Sequence, residues 1–207
     1  MSEDTTLNEA PLEGENFKIE RGSKDVPILI LCEHASSFVP PEIDLGVPGS
    51  LIDSHWGWDR WAADTLQRFA KPLGATTLSS KVSRLVIALN RGTDEATLIR
   101  PDAGGVPVPG NLALAPEQIQ GRIDQLYTPY HEAADRELSR LCSLFPRERV
   151  VFFTFHSFTG DYGDEDRDFD VGVLFDSHED LAAGVKRALA TRGLRVRLNE
   201  PYSGYRG

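Results

Sequence analysis

Residues 26–32, VPILILC, form an uninterrupted apolar run. A strand covered on one face only alternates polar and apolar residues, so this run needs cover on both faces, as strands of a parallel sheet have. The runs LVIAL at 85–89, VVFFTF at 150–155 and FDVGVLF at 169–175 predict further strands of the same kind. Segments of helical period lie between them. Leu51, Trp58, Trp61, Ala62, Leu66 and Phe69 mark one helix within residues 50–71, stopped by Pro72 and Gly74. Ile119, Ile123, Leu126, Tyr130, Ala133, Ala134, Leu138 and Leu141 mark a longer one opened by Pro116. A third, SHEDLAAGVKRALATRG, ends at Gly193 before the strand LRVRLNE. Buried strands alternating with helices predict an α/β fold, a three-layer helix/sheet/helix sandwich with a mixed, mostly parallel sheet.

A chain of 207 residues that is 40% hydrophobic supports one core. The first 22 residues, polar and without period, read as a mobile lead-in to a single domain over 23–207. With 22 basic against 32 acidic residues, a net charge of -10 and no basic run, a nucleic-acid partner is not expected. No apolar stretch reaches the roughly 18–20 residues needed to span a bilayer, so no membrane partner is expected either. Cys32 and Cys142 lie far apart without a secretory apolar segment ahead of them, which predicts reduced thiols and a cytoplasmic location. Cys32 continues an apolar strand and reads as inert core. Residues 92–114, crowded with Gly, Pro and Asp, are longer than an ordinary connection and predict a functional loop or lid.

Three apolar runs end in groups that can do chemistry: Glu33-His34, Asn90-Arg91 and His156-Ser157. In open α/β sheets the carboxyl ends of the strands form the ligand site. One histidine at a strand end is usually structural, but two of them with an Asn-Arg pair argue for a shared pocket. Neutral imidazoles and a carboxylate suit a catalytic zinc ion with three protein ligands. His34 and His156 are the natural pair. The third ligand is sought in DSHWGWD, where Asp53, His55 and Asp59 are metal-capable and Asp53 is favoured. Arg91 with Asn90 can clamp a substrate carboxylate, assisted by Arg84 at the other end of the run. His131 and His178 lack such placement and read as packing or surface residues.

Taken together, LCEHASSFVP, DSHWGWDRWAAD, SRLVIALNRG, PYHEAADREL, FFTFHSFTG, VGVLF and NEPYSG resemble the N-formylglutamate amidohydrolase family, from about residue 26 to the end and in the family's order. That family is similar to zinc carboxypeptidases and desuccinylases, with a phosphorylase/hydrolase-like α/β fold. The resemblance implies one zinc ion at His34 and His156 with an acidic third ligand, for which Asp53 stands. It implies a small-molecule substrate, N-formyl-L-glutamate or a similar N-acyl acidic amino acid, hydrolysed to formate and glutamate, with histidine breakdown as the pathway. Arg84, Asn90, Arg91 and Ser157 would bind that substrate. A larger acyl group, or ligand binding without turnover, are the alternatives within the same fold. The sequence departs from the relatives at Ser37, where they carry a glutamate ligand, and at Ala88, where they carry an aspartate. Their general-base glutamate lies on a strand beyond NEPYSG. The natural chain is therefore expected to extend past Gly207, with Glu33 or Glu200 as the base otherwise and Glu33 taken as the catalytic candidate.

Overall fold

The computed structural model describes residues 14, 16–22, 26–162 and 165–203. The chain runs β1 (Phe17–Glu20), β2 (Ile28–Cys32), α1 (Gly49–Ile52), α2 (Ala62–Leu73), β3 (Thr76–Ser80), β4 (Asp102–Ala103), β5 (Val106–Pro107), α3 (Pro116–Arg122) and a π-helical turn (Ile123–Tyr127). It continues through α4 (Thr128–Leu144), β6 (Val151–Thr154), β7 (Asp161–Tyr162), β8 (Glu165–Asp166), β9 (Val171–Val173), α5 (Glu179–Ala190) and β10 (Val196–Leu198). Where the sequence predicts one domain over 23–207, the contacts divide the chain into two compact units, residues 1–157 and 158–207.

In the first unit the sheet order is β1-β3-β2-β6. β2 runs parallel to β3 and β6, and β1 is antiparallel to β3. Leu29 and Leu31 of β2 share one buried cluster with Tyr130, Ala133, Ala134 and Leu141 of α4. Ile30 and Cys32, pointing the other way, share a second with Ala62, Leu66 and Ala70 of α2. Successive residues of one apolar strand thus feed two layers of helix, which is the three-layer α/β sandwich with a mixed sheet.

The predicted lead-in needs correction from residue 16 onward. Phe17 and Ile19 are buried while Lys18 is exposed, so a two-residue alternation fixes an edge strand on β3. Residues 1–13 of that lead-in lie outside the described residues. The predicted helix over 50–71 is interrupted between α1 and α2. There Ser54 Oγ donates to the Leu51 carbonyl at 2.6 Å and accepts from Trp56 N–H, and Gly57 N–H donates to the Ser54 carbonyl at 3.0 Å. Such local bonds compete with helix. Gly57 is required, because a Cβ there would lie 1.8 Å from the Ile52 carbonyl oxygen. The run VVFFTF forms β6 at the end of the sheet, so Phe152 and Thr154 are exposed where cover on both faces was expected.

The largest departure is LVIAL. Residues 85–89 are buried, as predicted, but they form turns and not a strand. Side chains replace the missing strand partner: Asn111 Nδ2 donates to the Leu85 carbonyl at 2.7 Å, Arg122 Nη1 to Val86 at 2.9 Å and His131 Nε2 to Leu89 at 2.9 Å. Tyr127 Oη closes the set on the Arg91 carbonyl at 2.9 Å. Buried backbone carbonyls need donors, and those of Leu85, Val86 and Leu89 find them in the segment 111–131, which also supplies Tyr127 to the exposed Arg91. His131 therefore has a structural task. The 92–114 stretch packs onto this core through Leu98, Ala103 and Val108, with Ala88 N–H bonded to the Leu98 carbonyl at 2.8 Å.

Glu137 of α4 is buried and accepts from Arg21 Nη2 at 2.7 Å and from Arg140 Nε at 2.8 Å. Burial raises its pKa, but the bonds and charges of Arg21 and Arg140 outweigh this and hold it below the ordinary carboxylate range. The stabilisation is full above the ordinary glutamate value of 4.5 and is lost as pH falls through the lower folded-state value. Breaking a fully buried pair costs about 3–5 kcal/mol. Here the two arginines keep 28% and 27% of their side chains exposed, so we expect Glu137→Gln to lose about 2 kcal/mol in urea unfolding at pH 7. The variant should also show a flatter acid limb, and equal stability of the two proteins at pH 7 would refute the assignment.

In the second unit β9 and β10 pair in parallel across α5, with Phe169, Ala182 and Val196 buried. Arg195 bridges Asp168 and Asp170, its Nη2 donating to Asp170 Oδ1 at 2.9 Å. Gly193, at φ 83°, turns the chain between α5 and β10.

Candidate metal centre

β2 and β6 are adjacent and parallel, so the residues that follow them emerge at the same edge of the sheet. Glu33 and His34 follow β2 in a turn, and His156 lies two residues beyond β6. The third component comes from the loop ahead of α2. Asp59 N–H donates to the His34 carbonyl at 2.9 Å, while Arg84 N–H and Ser83 Oγ both donate to the Gly57 carbonyl, at 3.0 and 2.8 Å. These bonds join three distant segments at their backbones. Trp61, in the left-handed region at φ 67°, turns the chain from Asp59 into α2.

His34, Asp59 and His156 offer ligand atoms that all lie within 4.8 Å of one another. Asp59 Oδ2 accepts from His156 Nδ1 at 2.9 Å and lies 3.6 Å from His34 Nδ1. Arg84 Nη2 bonds both His34 Nδ1 and Asp59 Oδ1. A guanidinium only donates, so His34 Nδ1 must carry a lone pair and Nε2 the proton, which goes to Asn90 Oδ1 at 3.0 Å. The His34 and His156 rings stand 4.9 Å apart, tilted by 55°.

Burial is the first cause that pushes the His34 pKa down, to about 4; Asp59 opposes it, and Arg84 and His156 add to it. His34 is thus a neutral imidazole near pH 7. Burial alone would raise the Asp59 carboxyl, but bonds from His156 and His34 and the charge of Arg84 hold it well below the carboxylate range. Glu33 is 4% exposed, and burial raises its pKa against the pull of His156. Its Oε2 lies 3.4 Å from His156 Nε2 and has no hydrogen-bond partner among the described residues. The buried Tyr130 hydroxyl also has none, and burial, then the charge of Glu33, raises its pKa. Cys32 is pushed up to about 12 by burial and by Glu33 and Asp59, so its thiol is inert as the sequence predicts.

The donor set fits a zinc ion. Two imidazoles and a carboxylate are the ligands of a catalytic zinc site with an open position, and here lone pairs of His34 and Asp59 already meet a positive group, the Arg84 guanidinium, with a ring nitrogen of His156 within 4.8 Å of both donors. Asn90 would orient His34 from outside, as outer-shell acceptors do for metal-bound histidines.

The sequence preferred Asp53 as third ligand, whereas the structure brings Asp59 to the two histidines. Asp53 is exposed at the end of α1, where its carbonyl accepts from Arg60 Nη2 at 2.7 Å, and His55 is exposed against Trp56. A usable signal was present: in a strand-loop-helix unit the loop returns to the strand's carboxyl end as it enters the helix, and Asp59, three residues before Ala62, is the metal-capable residue of this stretch nearest the helix. Asn90, expected on substrate, instead holds His34. Arg84 lies against His34 and Asp59 and not at a separate clamp. Arg91 is exposed with Nη1 3.5 Å from Glu95 Oε2, and Ser157 is exposed next to His156. Glu200 is exposed in the second unit.

Among known proteins, the chain is 32% identical over 133 residues to the N-formylglutamate deformylase of Pseudomonas aeruginosa, covering 58% of this chain and 48% of that protein. It is 31% identical over 134 residues to the N-formylglutamate deformylase of Pseudomonas putida, with the same coverage, 58% and 48%. The chain therefore spans about half the length of the curated relatives it matches. A crystal structure of a gene product from Agrobacterium tumefaciens superposes with a TM-score of 0.84 at 28% identity, covering 92% of this chain and 75% of that one. The N-formylglutamate amidohydrolase structure from Ralstonia eutropha gives 0.75 at 20% identity, covering 91% and 78%, a likeness of fold. The family model described as N-formylglutamate amidohydrolase matches residues 26–206, a span that holds both histidines, Asp59, Arg84 and Asn90, and the chain accordingly belongs to the N-formylglutamate amidohydrolase family.

Proposed function

We propose that this chain is a zinc-dependent amidohydrolase that cleaves the formyl amide of N-formyl-L-glutamate, or of a close N-acyl acidic amino acid, consuming one water and releasing formate and glutamate. The observation that carries the proposal is the convergence of His34, Asp59 and His156 within 4.8 Å, in a family whose curated members include named deformylases. Zinc held there would supply Lewis acidity and lower the pKa of water. His34 contributes Nδ1 while Asn90 fixes its Nε2–H, and Asp59 contributes the charge. Arg84 holds the lone pairs of His34 Nδ1 and Asp59 Oδ1 that a zinc ion would take, and with the ion bound it would be available for a substrate anion. Arg91 and Ser157, both exposed, are the candidates for the glutamate carboxylate. Glu33, buried and with a raised pKa, is suited to accept a proton from water and return it to the leaving nitrogen.

Metal content by elemental mass spectrometry should give one zinc per chain. His156→Ala should lower zinc affinity by more than the ~10–100-fold that outer-shell changes cost, with formate release from N-formyl-L-glutamate falling in parallel. A parent protein that takes up no zinc, even after incubation with it, would leave a non-catalytic binder of small carboxylates as the better account.

A further inference from the structure

Arg122, in the last turn of α3, is only 8% exposed. Its Nη1 donates to the Val86 carbonyl at 2.9 Å and to Asn111 Oδ1 at 2.7 Å, and its Nη2 reaches the Gly110 carbonyl at 3.3 Å. All three acceptors are neutral, and among the described residues no carboxylate pairs with this guanidinium. A buried cation without a counter-charge is costly, and burial lowers the pKa of Arg122 accordingly. Of its five donors, Nε–H and one Nη2–H remain, the pair that makes a side-on, two-point contact with a carboxylate.

Arg122 lines a cavity of about 250 Å³ together with Glu42, Asp44, Gln118, Gly121 and Gln125, among others. Of the residues that line this space Arg122 is buried, and the carboxylate residues Glu42 and Asp44 are exposed. A simple anion would be attracted by Arg122 and repelled by the two carboxylates, and a simple cation would meet the reverse. A molecule with both charges satisfies both ends. We propose that this cavity binds a small zwitterion of the α-amino acid class, its carboxylate on Arg122 and its ammonium group toward Glu42 and Asp44. None of the cavity's lining residues belongs to the candidate metal centre. The two are connected, because Arg122 and Asn111 hold the carbonyls of Val86 and Leu85, in the segment that ends at Asn90. The cavity is thus a second site, none of whose lining residues takes part in the proposed hydrolysis.

The test uses L-alanine, whose side chain has no charge to favour the metal centre, with acetate as a half-ligand, measured by isothermal titration calorimetry on the full chain. Arg122 clamps the fold, so the blocking variant is Gly121→Leu: Gly121 lines the cavity and a Cβ there meets no heavy atom within 4 Å, so a leucine is expected to take up cavity space while the Arg122 bonds are kept. Alanine should bind the parent and His156→Ala alike, and at least about tenfold more weakly to Gly121→Leu, a difference of about 1.4 kcal/mol. The double variant Glu42→Gln/Asp44→Asn should lose the preference for alanine over acetate, and the amide oxygen it places at position 44 can still accept the Gly46 N–H that Asp44 accepts at 2.8 Å. Absence of alanine binding to the parent, binding undiminished in Gly121→Leu, or binding lost in His156→Ala would each overturn the proposal.

Discussion

Asp59→Ala is expected to remove zinc binding and to lower formate release from N-formyl-L-glutamate by about 10³-fold or more, beyond the ~10–100-fold that loss of an outer-shell group costs. Asp59 is the one anion among the three convergent donors, and it orients both neighbours, accepting from His156 Nδ1 at 2.9 Å and from Arg84. Alanine would also leave Arg84 beside a neutral His34 without a carboxylate, at a cost of about 3 kcal/mol, the lower end of the range for a buried pair because the arginine side chain stays 20% exposed. Lost activity could then reflect lost fold, and Asp59→Asn separates the two. It preserves volume and an acceptor oxygen, so stability should fall by about 1 kcal/mol while zinc is still lost. Asp53→Ala is the matched control, expected to retain zinc. If Asp53→Ala lost the metal and Asp59→Asn kept it, the assignment of the centre would be wrong.

Glu33→Gln should separate activity from stability in the opposite sense. Glu33 is buried and, among the described residues, its Oε2 accepts no hydrogen bond, so its charged form is held against a desolvation penalty. An amide of the same size removes that penalty, and we expect unchanged or slightly raised thermal stability, by up to about 1 kcal/mol, with zinc retained. Turnover should fall by about 10²–10⁴-fold, the usual contribution of a positioned acid or base. Strain kept at one buried group that folding does not need is the mark of a functional residue. A variant with full turnover would exclude Glu33 from proton transfer and direct the search to another carboxylate.

Much of this was legible in the sequence because burial is. The run VPILILC told both its depth and its neighbours, since Leu29 and Ile30 face opposite helices. The run LVIAL told only its depth. Apolar residues reveal that a segment is inside but not what bonds its backbone, and for this segment the partners are side chains of Asn111, Arg122, Tyr127 and His131. The strand at Phe17–Glu20 was hidden because four alternating residues in a polar context barely differ from a tail. At the site, the two histidines were marked by their strand ends. Asp59 was one of three acidic or imidazole groups in seven residues, and only the return of the loop to His34, through the Asp59 N–H, distinguishes it.

The side-chain scaffold around residues 85–91 also bears on the order of events when the chain folds. Its bonds join residues 26 to 42 positions apart, and closing such loops costs entropy before any contact repays it. Asn90, and with it the orientation of His34, is fixed only after the helical segment 116–144 has docked. A chain with its sheet formed and that segment loose would contain most of its secondary structure and no organised metal centre. The arrangement of His34, Asp59 and His156 then depends on the docking of α3 and α4, and local opening of these helices is expected to disturb it while β2 and β3 remain paired.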